Sequence, residues 1–175
     1  MARVLKPLVI DAGQVRQLGS GETLDAVVSA KEVVTISGVS GVAISLGQMV
    51  YINTSGTLNL ANASATASKY PIGFVRGAAD GSSGPWTGAS LEVQTDGACV
   101  FTATVWDDLL GVDTTAGGYS ATGLVPGTKY YASSATAGDI TASAPASSNH
   151  FVVPVGRAIS ATTMYIEIGE PIKLA

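Results

Sequence analysis

The sequence predicts an all-β protein: a small β-sandwich or barrel body with two similar strand–turn–strand units, preceded by an extended N-terminal arm. Three observations carry that prediction. The first is a stretch written twice. Gly47-Gln48-Met49-Val50-Tyr51-Ile52, Gly56-Thr57-Leu58 and Pro71-Ile72-Gly73-Phe74-Val75 form one copy. Gly127-Thr128-Lys129-Tyr130-Tyr131-Ala132, Gly138-Asp139-Ile140 and Pro154-Val155-Gly156-Arg157-Ala158 form the other. The offset is 80 residues from Tyr51 to Tyr131, 82 from Gly56 to Gly138 and 83 from Gly73 to Gly156. Such drift belongs in polar gaps, because loops accept insertions and paired strands do not. The second observation is a succession of short β-branched or alternating runs broken by Gly and Pro. The third is that helical signals occupy only two short stretches, which puts helix below about a fifth of the chain.

In order along the chain, residues 1–26 read as an arm or anchor and 27–175 as the β body, with repeat units at about 39–105 and 119–170. Residues 1–19 alternate without helical period and are interrupted by Pro7 and Gly13, so they read as extended. A short helix is predicted over 20–31, with Ser20 as cap and Glu22 and Asp25 in its first turn. Val33 to Ile36 is β-branched, and 49–52 is a strand entered through Gly47 and left through Asn53-Thr54-Ser55-Gly56. A hairpin is predicted where 91–94 leads into Thr95-Asp96-Gly97, since Asp-Gly supplies the positive φ angles of a tight turn. Its return strand, 99–105, would place Cys99, Phe101, Ala103 and Val105 on one face. Gly/Ser-rich loops are predicted over 77–90, around Pro85-Trp86, and over 111–123. Between them 106–110 reads as one helical turn capped by an Asp. The last strand, 164–168, ends at Gly169 and Pro171.

Composition narrows the function classes. Charged residues make up 13% of the 175, about half the ~25% usual in soluble proteins. With Gly, Ala, Ser and Thr in excess and apolar residues at 46%, the pattern fits a surface partly covered by partners. Net charge is −4. Residues 1–16 hold Arg3, Lys6 and Arg16 against Asp11, a sum of +2, and the remainder holds six basic and twelve acidic residues, a sum of −6. A basic arm on an acidic body suits docking against a negative surface. Three scattered cations do not make a nucleic-acid site. Cys99 is the single cysteine, so no disulfide joins two residues of the chain. The N-terminus carries no signal-peptide pattern and no stretch reaches the ~20 apolar residues of a membrane span.

Candidate chemistry is sparse. His150 is the one histidine, no Gly-x-Ser-x-Gly elbow marks a nucleophile, and one Cys with one His falls short of a zinc site. Asp107, Asp108 and Asp113 lack calcium-loop spacing and read as helix caps. The Gly-rich loops lack the Gly-Lys-Ser/Thr that grips phosphate. Trp86, Trp106 and Tyr119 would make a sugar-stacking platform if they shared a face, but packing is the plainer role. No catalytic residue, metal or cofactor is expected.

Two stretches carry a resemblance. Val9-Ile10-Asp11-Ala12-Gly13-Gln14-Val15-Arg16-Gln17-Leu18, continued by Ser20-Gly21-Glu22-Thr23-Leu24-Asp25-Ala26, resembles a segment near the start of tailed-phage virion proteins. Leu124-Val125-Pro126-Gly127-Thr128-Lys129-Tyr130-Tyr131, Gly138-Asp139-Ile140-Thr141 and Val155-Gly156-Arg157-Ala158-Ile159-Ser160-Ala161-Thr162 resemble modules of capsid cement proteins, head fibres and tail-fibre connectors. The resemblance implies a structural virion protein, made in the host cytoplasm, that decorates or cements the phage head. Its partners would be the major capsid protein and itself, as a homotrimer, with neither nucleic acid nor membrane involved. A tail-fibre or baseplate connector and a carbohydrate-binding module are the alternatives; an end at Ala175 after a complete strand favours a self-contained decoration protein. The capsid-binding residues would be those of the arm: Arg3, Leu5, Lys6, Leu8, Ile10, Gln14, Arg16 and Gln17. Such an arm would gain order on docking, the competing reading being an edge strand of the body.

Overall fold

The structure, a computed structural model, describes residues 42–175 except 65, 67 and 117, together with the backbone of three strands at 8–11, 14–17 and 33–36. The chain divides into two compact units, Met1–Ala30 and Lys31–Ala175. In the first, β1 (Leu8–Asp11) pairs antiparallel with β2 (Gln14–Gln17), Leu8 opposite Gln17 and Asp11 opposite Gln14. Over its described part the expected extended arm is therefore a hairpin. Two four-residue alternating runs separated by Ala12-Gly13 are long enough to fold back, and pairing satisfies backbone groups that a lone strand leaves to water. The helix predicted over 20–31 lies outside the described residues.

The second unit is built from two five-stranded antiparallel sheets. The first contains β3 (Val33–Ile36), β4 (Met49–Ile52), β5 (Leu58–Leu60), β6 (Gly73–Ala78) and β7 (Leu91–Gln94), in the order β3-β7-β6-β4-β5. After β8 (Gly97–Val100) comes the one helix among the described residues, α1 (Ala103–Leu109), followed by β9 (Lys129–Ala132) and β10 (Ile140–Thr141). A short β11 (Phe151–Val152) precedes β12 (Pro154–Ala158) and β13 (Thr163–Ile166), and β14 (Ile172–Lys173) pairs with β11. The second sheet runs β8-β13-β12-β9-β10. Among the described strands both sheets have free edges, and neither closes into a barrel. The fold is all-β.

Read side by side, the two sheets have the same strand order, and the registers agree residue by residue. Tyr51 faces Asn59 and Tyr131 faces Thr141; Val50 faces Gly73 and Tyr130 faces Gly156. Val75 faces Val93 and Ala158 faces Met164. The repeated glycines explain why the motif survives in both copies. Gly47 and Gly127 have φ of 82° and 80°, and Gly56 and Gly138 have 76° and 87°, in the left-handed region where a side chain is strained. A Cβ on Gly73 would lie 2.1 Å from the Gln94 carbonyl oxygen, and one on Gly156 would lie 2.3 Å from that of Tyr165. Gln94 and Tyr165 occupy matching places on β7 and β13, so both copies need the same close approach.

Several sequence expectations are corrected here. The Asp-Gly turn exists, with Gly97 at φ 77°, but β7 and β8 are not a hairpin. β7 pairs with β6 and β3, whereas β8 pairs with β13, so the turn passes the chain from one sheet to the other. Gln94 covers the crossing: its Nε2 donates to the carbonyls of Asp96 and Ala98 at 3.1 and 2.9 Å. The boundary between copies thus falls at 95–96, inside the first of the expected units. The predicted strand 99–105 also stops at Val100, and α1 begins at Ala103 with Thr102 as N-cap, accepting from the Val105 N–H. No Asp caps it.

The sheets pack face to face, as a sandwich. Met49 and Phe74 from the first sheet share a core with Cys99, Tyr130, Ala132, Ile140, Ala158, Met164 and Ile166 from the second. Trp106 of α1 closes this core, edge-on to Phe74 and Phe101 with ring centroids 5.8 and 5.1 Å away, and its indole N–H donates to the Thr162 carbonyl at 3.0 Å. Backbone bonds stitch the layers at one side: Gly138 donates to Ala61 at 2.7 Å, Met49 to Gly138 at 2.8 Å and Ala63 to Ser133 at 2.9 Å. A smaller core of Ile44, Val50, Leu58, Val75, Leu91 and Val93 lies on the other side of the first sheet. Trp86 roofs it, its backbone bridged to Ile44.

Candidate interaction surface

Each sheet has two faces, and the repeat makes them comparable. One face, here called A, carries Met49, Tyr51 and Phe74 in the first sheet and Lys129, Tyr131 and Arg157 at the matching positions of the second. The opposite face, B, carries Val50, Val75 and Val93 in the first and Tyr130, Ala158 and Met164 in the second. Face A of the first sheet and face B of the second meet in the shared core. The copies are therefore stacked facing the same way rather than related by a two-fold.

That stacking leaves face A of the second sheet outward. Arg157 and Lys129 are direct register partners there, with Tyr165 beside Arg157 on β13. Lys129, Arg157, Glu167 and Tyr165 are exposed. Together with Pro154, Gly156 and Gly169, Lys129, Arg157 and Glu167 line a cleft of about 180 Å³. The Arg157 guanidinium donates to the Gly127 carbonyl, and the Lys129 ammonium stands 5.9 Å from the Tyr131 ring centroid, within cation–π reach. Elsewhere an open, mainly apolar groove is lined by Leu46, Arg76, Val100, Phe101, Val105 and Thr162. Arg76 spans it, donating to Gln94 Oε1 at 2.7 Å and lying 5.7 Å from the Phe101 ring.

The acidic residues singled out in the sequence do different work from capping. Asp107 is buried within α1 and receives four hydrogen bonds: Tyr119 Oη at 2.6 Å, the N–H groups of Thr122 and Gly123 at 2.8 Å each, and Thr122 Oγ1 at 3.2 Å. Burial pushes its carboxyl up, but these donors outweigh that and hold it below the usual carboxylate range. It is an anchor for the 119–123 loop. Its partners lie 12–16 residues away, beyond any local signal. Asp113 closes a turn onto Thr115, and Asp108 accepts from Thr114 Oγ1. Asp139 has its carboxyl pushed up to about 6 by partial burial and by the nearby charge of Asp108.

The other candidates disperse. Cys99 is buried in the inter-sheet core. Trp86 and Trp106 are buried in different cores and Tyr119 is held by Asp107, so the three do not form a stacking platform. His150 sits in a turn beside β11, half-buried, its Nδ1 without a hydrogen-bond partner among the described residues. Of the predicted arm residues, Arg3, Leu5 and Lys6 lie outside the described residues. Leu8 and Ile10 fall on β1, and Gln14, Arg16 and Gln17 on β2. No group of three or more metal-ligating side chains occurs among the described residues, and no helix there is long and apolar enough to cross a membrane. The chain matches no protein-family model and no curated protein.

Proposed function

We propose that this protein is a structural virion component that decorates or cements a phage head, binding the capsid lattice as a homo-oligomer, most simply a homotrimer. The observation that carries the reading is the resemblance of 9–26 and of the second repeat to virion modules. The architecture supports it. A duplicated, stapled β stack has its buried Asp107 spent on holding a loop, and it exposes Val42, Ile52, Tyr70, Val100, Val125, Ile159 and Ile172 on a surface poor in charge. Many-copy particles gain strength by repeating small contacts symmetrically. A tail-fibre connector would share these traits; a sugar-binding role has lost the aromatic platform that would have favoured it.

The test uses phage heads that lack the protein. Purified protein should saturate them at symmetry-related lattice positions visible by electron microscopy, and failure to bind, or binding at the tail alone, contradicts the reading. Deleting 2–17 should leave the β spectrum intact and sharply reduce attachment. Full occupancy by the truncated chain would assign the capsid contact to the body instead of the arm.

A further inference from the structure

The two ends of the sheet stack are finished differently. Face B of the first sheet is sealed by the chain's own 79–90 loop, with Trp86 buried against Ile44 and Val75. Face A of the second sheet stays exposed at Lys129, Arg157, Tyr165 and Glu167. The same face in the first sheet is covered by another β layer, so its shape admits a covering surface. What differs is charge. Of the five cationic side chains in 42–175, two are register partners on this face, against Glu167.

We infer that this face docks onto an acidic patch of a second copy of the chain, formed by Asp108 and Asp113 beside the exposed Val112. The inference rests on the homo-oligomer part of the reading above and names its surfaces. The patch is built at the C-terminal end of α1, where Thr114 ties the 111–116 loop to Asp108. A cationic face with Tyr131 and Tyr165 supplies opposite charge for the carboxylates and apolar area for Val112. The two surfaces are made of different residues, so the contact is head-to-tail and repeats until a ring closes.

Sedimentation velocity on the full chain tests this by charge reversal. The wild type should associate at low salt, and Lys129→Glu/Arg157→Glu or Asp108→Lys/Asp113→Lys should each weaken association roughly tenfold or more. All four side chains are exposed, so folding should persist, checked by the β spectrum. Mixing the two variants restores opposite charge at both junctions, native and reversed, and should give mixed oligomers that neither forms alone. The milder Lys129→Gln/Arg157→Gln should weaken association in the same direction. A wild type that stays monomeric at about 0.1 mM, variants that associate like the wild type, or a mixture that stays unpaired overturns the inference. Charge-dependent association with no binding to heads would sustain it while sinking the decoration reading. Head binding by a chain that fails the mixing test would do the reverse.

Discussion

The two copies of the repeat share strand order, register and glycines, yet they differ in how many faces they bury. In the first sheet both faces are covered, so Met49, Val50, Phe74 and Val75 are all inaccessible. In the second only face B is covered, and the positions of Met49 and Phe74 are taken by Lys129 and Arg157. The difference teaches that strand pairing and face burial are separable. Backbone register is held by turns and close approaches common to both copies, whereas the side chains record what each face meets. Each copy also has a private insertion. The first carries the 79–90 loop, whose Trp86 roofs the smaller core, and the second carries 101–128, with α1 and the loop held by Asp107.

The sharpest way to break this comparison is to truncate matching positions. Phe74→Ala should cost about 3–5 kcal/mol, because it opens a cavity against Trp106. Arg157→Ala, on exposed sheet, should change stability by no more than about 1 kcal/mol. Urea denaturation of the two variants measures both. Equal losses would mean that face A is buried in both copies.

The private insertion of the second copy can be probed through its anchor. Asp107→Ala strands the N–H groups of Thr122 and Gly123 and the Tyr119 hydroxyl, and should cost roughly 3 kcal/mol. Faster amide exchange confined to 119–124 would accompany it. Next in size are Gly73→Ala and Gly156→Ala. Each forces a strand away from a carbonyl it nearly touches, so both should lose about 1–3 kcal/mol, and by similar amounts. A cost at one glycine alone would show that the copies do not share the approach.

The smallest expected effect is proton-linked. Folding raises the Asp139 carboxyl to about 6 from an ordinary 3.8, through burial first and Asp108 second. The folded state holds this proton more tightly, so its contribution is fully present below 3.8 and is lost as pH rises through 6. Because the group is half exposed, the effect should be only about 1 kcal/mol. Asp139→Asn should remove that part of the pH dependence and be slightly the more stable protein at neutral pH. Unchanged slopes between about pH 4 and pH 6 in melting curves of the two proteins would argue against it.

Much of the fold was legible because glycine and proline record backbone constraints locally. Gly47, Gly56, Gly73 and their partners mark turns and a close approach, and they revealed two similar strand–turn–strand units without reference to packing. Sheet membership was not legible at Asp96-Gly97, since a turn signal says that the chain reverses but not which strand it then joins. Asp107 was misread because a capping residue and a loop anchor are the same residue type, and its donors are far along the chain. Face identity was hidden for a related reason. Lys129 and Arg157 announce an exposed face, but Met49 and Phe74 could be assigned to the inter-sheet core only once the stacking direction was known.

The central structural claim is that the copies stack facing the same way, face A of the first sheet against face B of the second. Nuclear Overhauser contacts in the folded protein test it directly. The Phe74 ring should show contacts to the Trp106 indole and into the cluster holding Met164 and Ile166, while Val75 and Val93 contact Ile44 and Trp86. Contacts from Val75 or Val93 to Ala158 or Met164 would instead place the two B faces together, as a two-fold would, and would contradict the account.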